Sequence, residues 1–279
     1  MPLSKSMKRK IFAWTSVVAL AFLIFPIVGS ATVTELNVTP DVVLQGEKVR
    51  VWGKASPNED VWLNASFEIS TPVSEEKYHG EFKGIEIPEG EKTISVTAEN
   101  VKNIRVSIYP VFWTTFEYPP DGPLNATNGT ATISVSFPAD FYGIIIDIYG
   151  EKDIKVYGDA LEGADAVHLI VKTSIKVTAD SEGRFELEVG TKGVPPGEFQ
   201  INAGGEVKKV RIFLNGDVNA NGVIDSADYM HIARWIAGME GYDLEEKVAD
   251  VSGDGIVDAY DCVYLARYIA GISGYEELK

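Results

Sequence analysis

Two twelve-residue stretches near the C-terminus carry residue types and spacings suited to holding a cation. In the first, Asp217, Asn219, Asn221, Asp225 and Asp228 place side-chain oxygens at positions 1, 3, 5, 9 and 12. Gly222 stands at position 6, and Val223 at position 7 offers a backbone carbonyl. The frame recurs 33 residues later as Asp250, Ser252, Asp254, Asp258 and Asp261, with Gly255 and Ile256 at positions 6 and 7. Calcium takes roughly six to eight hard oxygen ligands, and the loop supplying them needs a sharp central turn that glycine makes at little steric cost. The pattern therefore predicts two Ca²⁺ sites. Ser252 is a weaker ligand than Asn219, but the second loop offers four carboxylates against three in the first. Without metal these carboxylates repel one another, so ion binding is expected to be coupled to folding.

Each loop must be held by the segment that follows it. Tyr229–Gly238 and Cys262–Gly271 read as short apolar helices, and loop plus helix is identical at ten of twenty-two positions between the copies. Ile224 and Val257, at position 8, are expected to pair in a short bridge between the loops. Both loops end in Asp rather than the Glu of an ordinary EF-hand, and neither has an entering helix. In these features residues 215 to about 275 resemble a type I dockerin, with Gly216-Asp217-Val218-Asn219 matching the family's usual opening. The resemblance implies a small three-helix module that folds on calcium and binds a cohesin domain on another protein. It also implies cohesin contacts through Ser226, Ala227, Ala233, Arg234 and Gly238 in the first copy. The matching set in the second is Ala259, Tyr260, Ala266, Arg267 and Gly271. The helical members repeat, but Ser226-Ala227 becomes Ala259-Tyr260, so the two faces differ chemically. Arg234 or Arg267 is expected to meet an acidic or polar cohesin surface.

Upstream, residues 32–214 show short alternating runs broken by Gly, Pro and Asn, the pattern of antiparallel strands packed as sandwiches. A duplication organises them. Gly46–Gly53 matches Gly150–Gly158, Asp60–Leu63 matches Asp165–Leu169, Gly80–Phe82 matches Gly183–Phe185, and Val101–Val106 matches Val207–Ile212. The offset of about one hundred residues is the size of an immunoglobulin-like sandwich. The expected fold class is thus mainly β, with tandem Ig-like modules followed by a small all-α dockerin. The expected divisions are 1–31 leader, 32–112 first module, 113–140 linker or added strand, 141–214 second module and 215–279 dockerin.

Composition narrows the function. With 25 Lys+Arg against 41 Asp+Glu, a net charge of −16, the chain lacks the basic face that nucleic-acid binding needs. Lys5, Lys8, Arg9 and Lys10 precede an apolar run from Ile11 to Val28 and the small triplet Gly29-Ser30-Ala31, which reads as a cleaved secretory leader. The alternative is an uncleaved membrane anchor with everything after it outside the cytoplasm. Four glycosylation sequons begin at Asn37, Asn64, Asn125 and Asn128. Cys262 alone forms no intramolecular disulfide, and His79, His168 and His231 are too scattered for a zinc set. The aromatic group Tyr109, Phe112, Trp113, Phe116 and Tyr118 is expected to pack between modules. Nucleophile-elbow, HExxH and phosphate-loop motifs are absent. The sequence thus points to a non-catalytic secreted or cell-surface protein that docks to a cohesin. The alternative is carbohydrate-binding or polysaccharide-degrading cargo of such an assembly.

Overall fold

A computed structural model describes residues 32–111 and 113–279. The expected leader or anchor, and Phe112, lie outside the described residues. The strands are β1 Glu35–Thr39, β2 Val42–Leu44, β3 Lys48–Lys54, β4 Asp60–Ser74, β5 Lys77–Ile87, β6 Lys92–Glu99, β7 Asn103–Val111, β8 Thr114–Tyr118 and β9 Leu124–Asn125. They continue with β10 Thr130–Phe137, β11 Ala139–Phe141, β12 Ile144–Ile146, β13 Gly150–Asp159, β14 Ala166–Thr178, β15 Arg184–Gly190, β16 Gly197–Ala203 and β17 Glu206–Phe213. The helices are α1 Ser226–Ile236, α2 Glu246–Ala249 and α3 Ala259–Ile269. The chain is therefore mainly β, with its described helices confined to the C-terminal unit.

Period-two alternation builds two apolar cores in the β region. One lies between paired strands β10-β6-β14 and β5-β13-β7, and is filled by Val96, Ile133 and Leu169 against Phe82, Ile104 and Val156. The other lies between β4-β16-β17-β2 and β1-β3-β15, filled by Leu63, Phe199 and Ile212 against Leu36, Val51 and Phe185. Phe67 on β4 joins them, with its ring centroid 6.2 Å from that of Phe82 and 4.9 Å from that of Phe199.

These cores do not follow the expected division at residues 112 and 141. The inner core draws on residues 67–171 and the outer one on two flanking segments, 33–67 and 177–212. The duplicated strands correspond as the sequence predicts, but they pair across copies. β3 of the first copy pairs with β15 of the second, β5 with β13, and β4 with β14 over thirteen consecutive positions from Asp60↔Thr178 to Pro72↔Ala166. The two copies have exchanged halves. The cause lies in β4 and β14, which run for 15 and 13 residues without a turn and so carry the chain from one core into the other. Strand exchange between like modules needs only that a connecting hinge be extended. The repeated glycines keep equivalent duties: a Cβ on Gly53 would lie 1.9 Å from the Glu35 carbonyl oxygen, and one on Gly158 would lie 2.4 Å from that of Asn103.

Where the cores meet, an apolar cavity of about 230 Å³ remains between the layers. At its edge Lys92, with its side chain 1% exposed, donates to Asp147 Oδ1 at 2.8 Å and to the Ile148 carbonyl at 2.9 Å.

The aromatic group divides rather than packing together. Phe116 and Tyr118 stack edge-on against Phe141, with centroids at 4.9 and 5.9 Å, whereas Trp113 is 93% exposed in the β7–β8 turn and Tyr109 is half-exposed. Asn64 is half-buried, accepts a hydrogen bond from Ser174 and donates to the Trp62 carbonyl, which removes it from the available sugar acceptors. Asn125 and Asn128 are exposed.

Candidate metal centre and docking surface

The two cation loops have nearly superimposable local chemistry. Asp217, at 0% exposure, accepts from the Asn221 and Gly222 amides at 3.0 and 2.8 Å. Asp250 does the same from Asp254 at 3.1 Å and Gly255 at 2.8 Å, and also from Gly253 at 2.9 Å. These bonds wrap the loop around its first residue, and positive φ at Gly222 (84°) and Gly255 (87°) turns the chain. The position-5 side chains Asn221 and Asp254 accept from the position-7 amides of Val223 and Ile256 at 2.8 and 2.9 Å, fixing those peptides.

The last ligand positions also start the helices. Asp225 caps α1 and Asp258 caps α3, and in each case the Asp three residues on reaches back to the cap amide: Asp228 to Asp225 at 2.8 Å, Asp261 to Asp258 at 2.9 Å. Asp228 and Asp261 accept further from the position-3 amides of Asn219 and Ser252 at 3.2 and 3.0 Å, closing each loop from end to end. A reciprocal capping box satisfies amides that would otherwise be orphaned at a helix start. An Asp at position 12 thus serves both loop and cap.

Donor chemistry fits calcium. Asp217, Asp228 and Asp261 are fully buried, and among the described residues none forms an ion pair with Lys, Arg or His. Burial, followed by the Asp228 charge, pushes the Asp217 carboxyl above the usual carboxylate range, partly offset by its bonds from Gly222 and Asn221. A buried anion without a counter-ion is costly, and a cation relieves it. The carboxylates are strung along the loops rather than gathered: no group of three or more His, Cys, Asp or Glu converges among the described residues. The donor set in each loop is mixed, with carboxylate, amide or hydroxyl, and carbonyl oxygens. Ile224 and Val257 form no bridge; each is half-buried and packs against the small apolar core that includes Val218, Ile232, Val248, Val251 and Leu265.

The expected docking residues are accessible in both copies. Ser226, Ala227, Gly238, Ala259, Tyr260, Arg267 and Gly271 are exposed, and Ala233, Arg234 and Ala266 are half-buried. Each arginine lies over a tyrosine eight residues on, with Arg234 above Tyr242 and Arg267 above Tyr275, both 4.9 Å from ring centroid, and each donates to the phenol oxygen. Neither guanidinium forms an ion pair among the described residues, so each keeps a free positive charge.

The tyrosines extend the repeat beyond Gly238 and Gly271, which close the two helical segments. Gly241-Tyr242 and Gly274-Tyr275 stand at the same 33-residue offset. Tyr242 packs edge-on against His231 at 5.2 Å, and Tyr275 against Tyr264 at 4.8 Å. Carrying the offset a few residues further would have revealed them. The ends of the unit are clasped: Asn215 Nδ2 donates to the Lys279 carbonyl at 2.8 Å, and the Lys279 amide donates to the Val251 carbonyl at 3.1 Å. Cys262 is half-buried beside the Tyr229 carbonyl, and burial raises its thiol above the ordinary range, the signature of an inert packing residue.

Residues 215–270 match the dockerin type I domain family. They form a type I dockerin domain. A solved type I cohesin–dockerin complex from Clostridium thermocellum includes a chain 35% identical to this one, covering 22% of this chain and 98% of its own, with a TM-score of 0.21. No curated protein matches the chain. Type I dockerins are calcium-binding domains. This dockerin is seated on the β region: Phe213, Val42 and Leu44 enter its apolar core, Lys247 Nζ meets Glu47 Oε2 at 2.6 Å, and Arg211 pairs with Glu245. Among the described residues no helix is long and apolar enough to cross a membrane.

Proposed function

We propose that this chain is a secreted, calcium-dependent docking protein whose dockerin binds a cohesin domain and whose β region is displayed without catalysing a reaction. The dockerin match at residues 215–270 carries this reading. Two Ca²⁺ ions would be held by Asp217, Asn219, Asn221, Val223, Asp225 and Asp228, and by Asp250, Ser252, Asp254, Ile256, Asp258 and Asp261. Bound calcium would neutralise the buried carboxylates. The protein's own part is to cap α1 and α3 and to present two chemically distinct faces, one with Ser226, Ala227 and Arg234, the other with Ala259, Tyr260 and Arg267. An acidic cohesin surface would complement the free arginine charge on either face. The double variant Asp217→Ala/Asp250→Ala is expected to lose calcium-induced helicity and cohesin capture together. Identical circular dichroism of the native protein with calcium and with EGTA would refute the reading.

A second reading, a carbohydrate-binding cargo, draws support from the outer face of β5-β13-β7-β8. There Lys77, His79, Arg105, Glu117, Lys155 and Tyr157 line an open polar cleft of about 560 Å³. Arg105 Nε is buried with no hydrogen-bond partner among the described residues. Burial, reinforced by its bond to Glu117, holds the Tyr157 phenol above its ordinary range, so it stays a neutral stacking and donor group. Retention on insoluble polysaccharide that disappears in Tyr157→Ala would support this reading; no retention on any polysaccharide would exclude it.

A further inference from the structure

The cavity between the two β cores is lined by side chains that strand alternation directs inward but that no neighbour covers. On β6, Val96 and Ala98 are buried, yet Ile94, two residues earlier on the same face, is only half-buried. Ile154 beside buried Val156, Ile175 beyond buried Val171, Val189 beyond buried Phe185 and Ile201 beside buried Phe199 repeat the pattern. These residues come from both layers and both cores, and all of them front one space of about 230 Å³. Native interiors are packed to nearly crystalline density and seldom hold voids much larger than a water molecule. Water gains little here, because an apolar cavity offers it too few hydrogen-bond partners.

Of the five polar side chains in the lining, Lys92, Asn64 and Thr191 are engaged by the protein, whereas the exposed Glu86 carboxylate forms no ion pair and Thr173 no side-chain hydrogen bond among the described residues. Lys92 is bound to Asp147 and Ile148. Asn64 is bound to Ser174, Trp62 and Asn202, and Thr191 to Gly46, Leu44 and Glu47. An acidic headgroup would therefore find no free cation in the lining and would be repelled by the Glu86 carboxylate. We propose that this cavity is a binding site for one hydrocarbon-like small molecule without an acidic group, such as a fused-ring compound. The site is separate from the dockerin and independent of cohesin docking.

The test titrates the calcium-loaded protein with N-phenyl-1-naphthylamine, an uncharged probe whose fluorescence rises on leaving water. The expected result is saturable enhancement at one probe per chain, with a rise in Tm, because a ligand that binds only the folded state stabilises it. Ala65→Phe and Ile94→Phe each direct added volume into the space from a different strand. Either one, folded, is expected to weaken the probe by roughly tenfold or more while keeping a Tm no lower than the parent's. Absence of saturable enhancement in the parent overturns the proposal. So does enhancement that persists undiminished in a folded filling variant, which would place the probe on the surface.

Discussion

The pair formed by Lys92 and Asp147 permits a prediction in which two substitutions at one contact have unlike effects. Lys92 is the buried partner, with its side chain 1% exposed, whereas Asp147 is 27% exposed. Asp147→Ala removes the carboxylate at 2.8 Å and leaves the ammonium with the Ile148 carbonyl at 2.9 Å as its remaining partner. Stranding a buried charge costs about 3–5 kcal/mol. Lys92→Met keeps the apolar stem that fills the same space and removes the need to desolvate a charge. The Asp147 carboxylate left behind is partly hydrated and still accepts the Ile148 amide at 2.8 Å, so the cost should be under about 1 kcal/mol. At roughly 2–4 °C per kcal/mol for a domain of this size, Asp147→Ala should lower the Tm of the β transition by about 10 °C. Lys92→Met should move it by only a few degrees. The double variant should recover most of the loss, because no charge remains to be stranded. Scanning calorimetry of the four proteins measures this directly. Equal losses in the two single variants, or a double variant as unstable as Asp147→Ala, would refute the reasoning.

Other consequences are as concrete. Gly53→Ala forces a Cβ to within 1.9 Å of the Glu35 carbonyl, so β1 must separate from β3; a stability loss of about 2 kcal/mol or more is expected by urea unfolding, against less than about 0.5 kcal/mol for an exposed control substitution. Asp217 binds a proton more readily in the metal-free folded dockerin than when unfolded, because burial raises its folded value. Its contribution is therefore fully present below the ordinary carboxylate range and lost as pH rises through the raised value. Calcium-free protein should accordingly gain helical signal at 222 nm as pH falls from 7 toward about 4.5, and a monotonic loss over that window would contradict the assignment. Expressed in a glycosylating host, the protein should carry no sugar on Asn64, whose amide lies between strands, while Asn125 and Asn128 remain accessible; peptide mass spectrometry that finds Asn64 modified would contradict the burial argument.

Much of the docking unit could be read without coordinates. A calcium loop is a local object: ligand spacing, a central glycine and a following cap all lie within a dozen residues, and the 33-residue repeat shows that both copies obey the same local rules. The capping boxes of Asp225 with Asp228 and Asp258 with Asp261 are encoded in the same way. The alternating strands and their correspondence between copies were also legible, since period-two burial follows from backbone geometry alone. The choice of partners was not. A strand edge of the first copy offers the same hydrogen bonds to a strand of its own copy as to the equivalent strand of the other, so pairing within copies and pairing across them read identically in sequence. Only the uninterrupted β4 and β14 decide for exchange, because a strand that does not turn must deliver its second half to a different core. Long-range placement likewise decided that Arg234 and Arg267 rest on tyrosines, that Asn64 is enclosed, and that inward-facing isoleucines end at a cavity. Those outcomes depend on what stands opposite a side chain across the layer, and the order of residues along one strand does not contain that information.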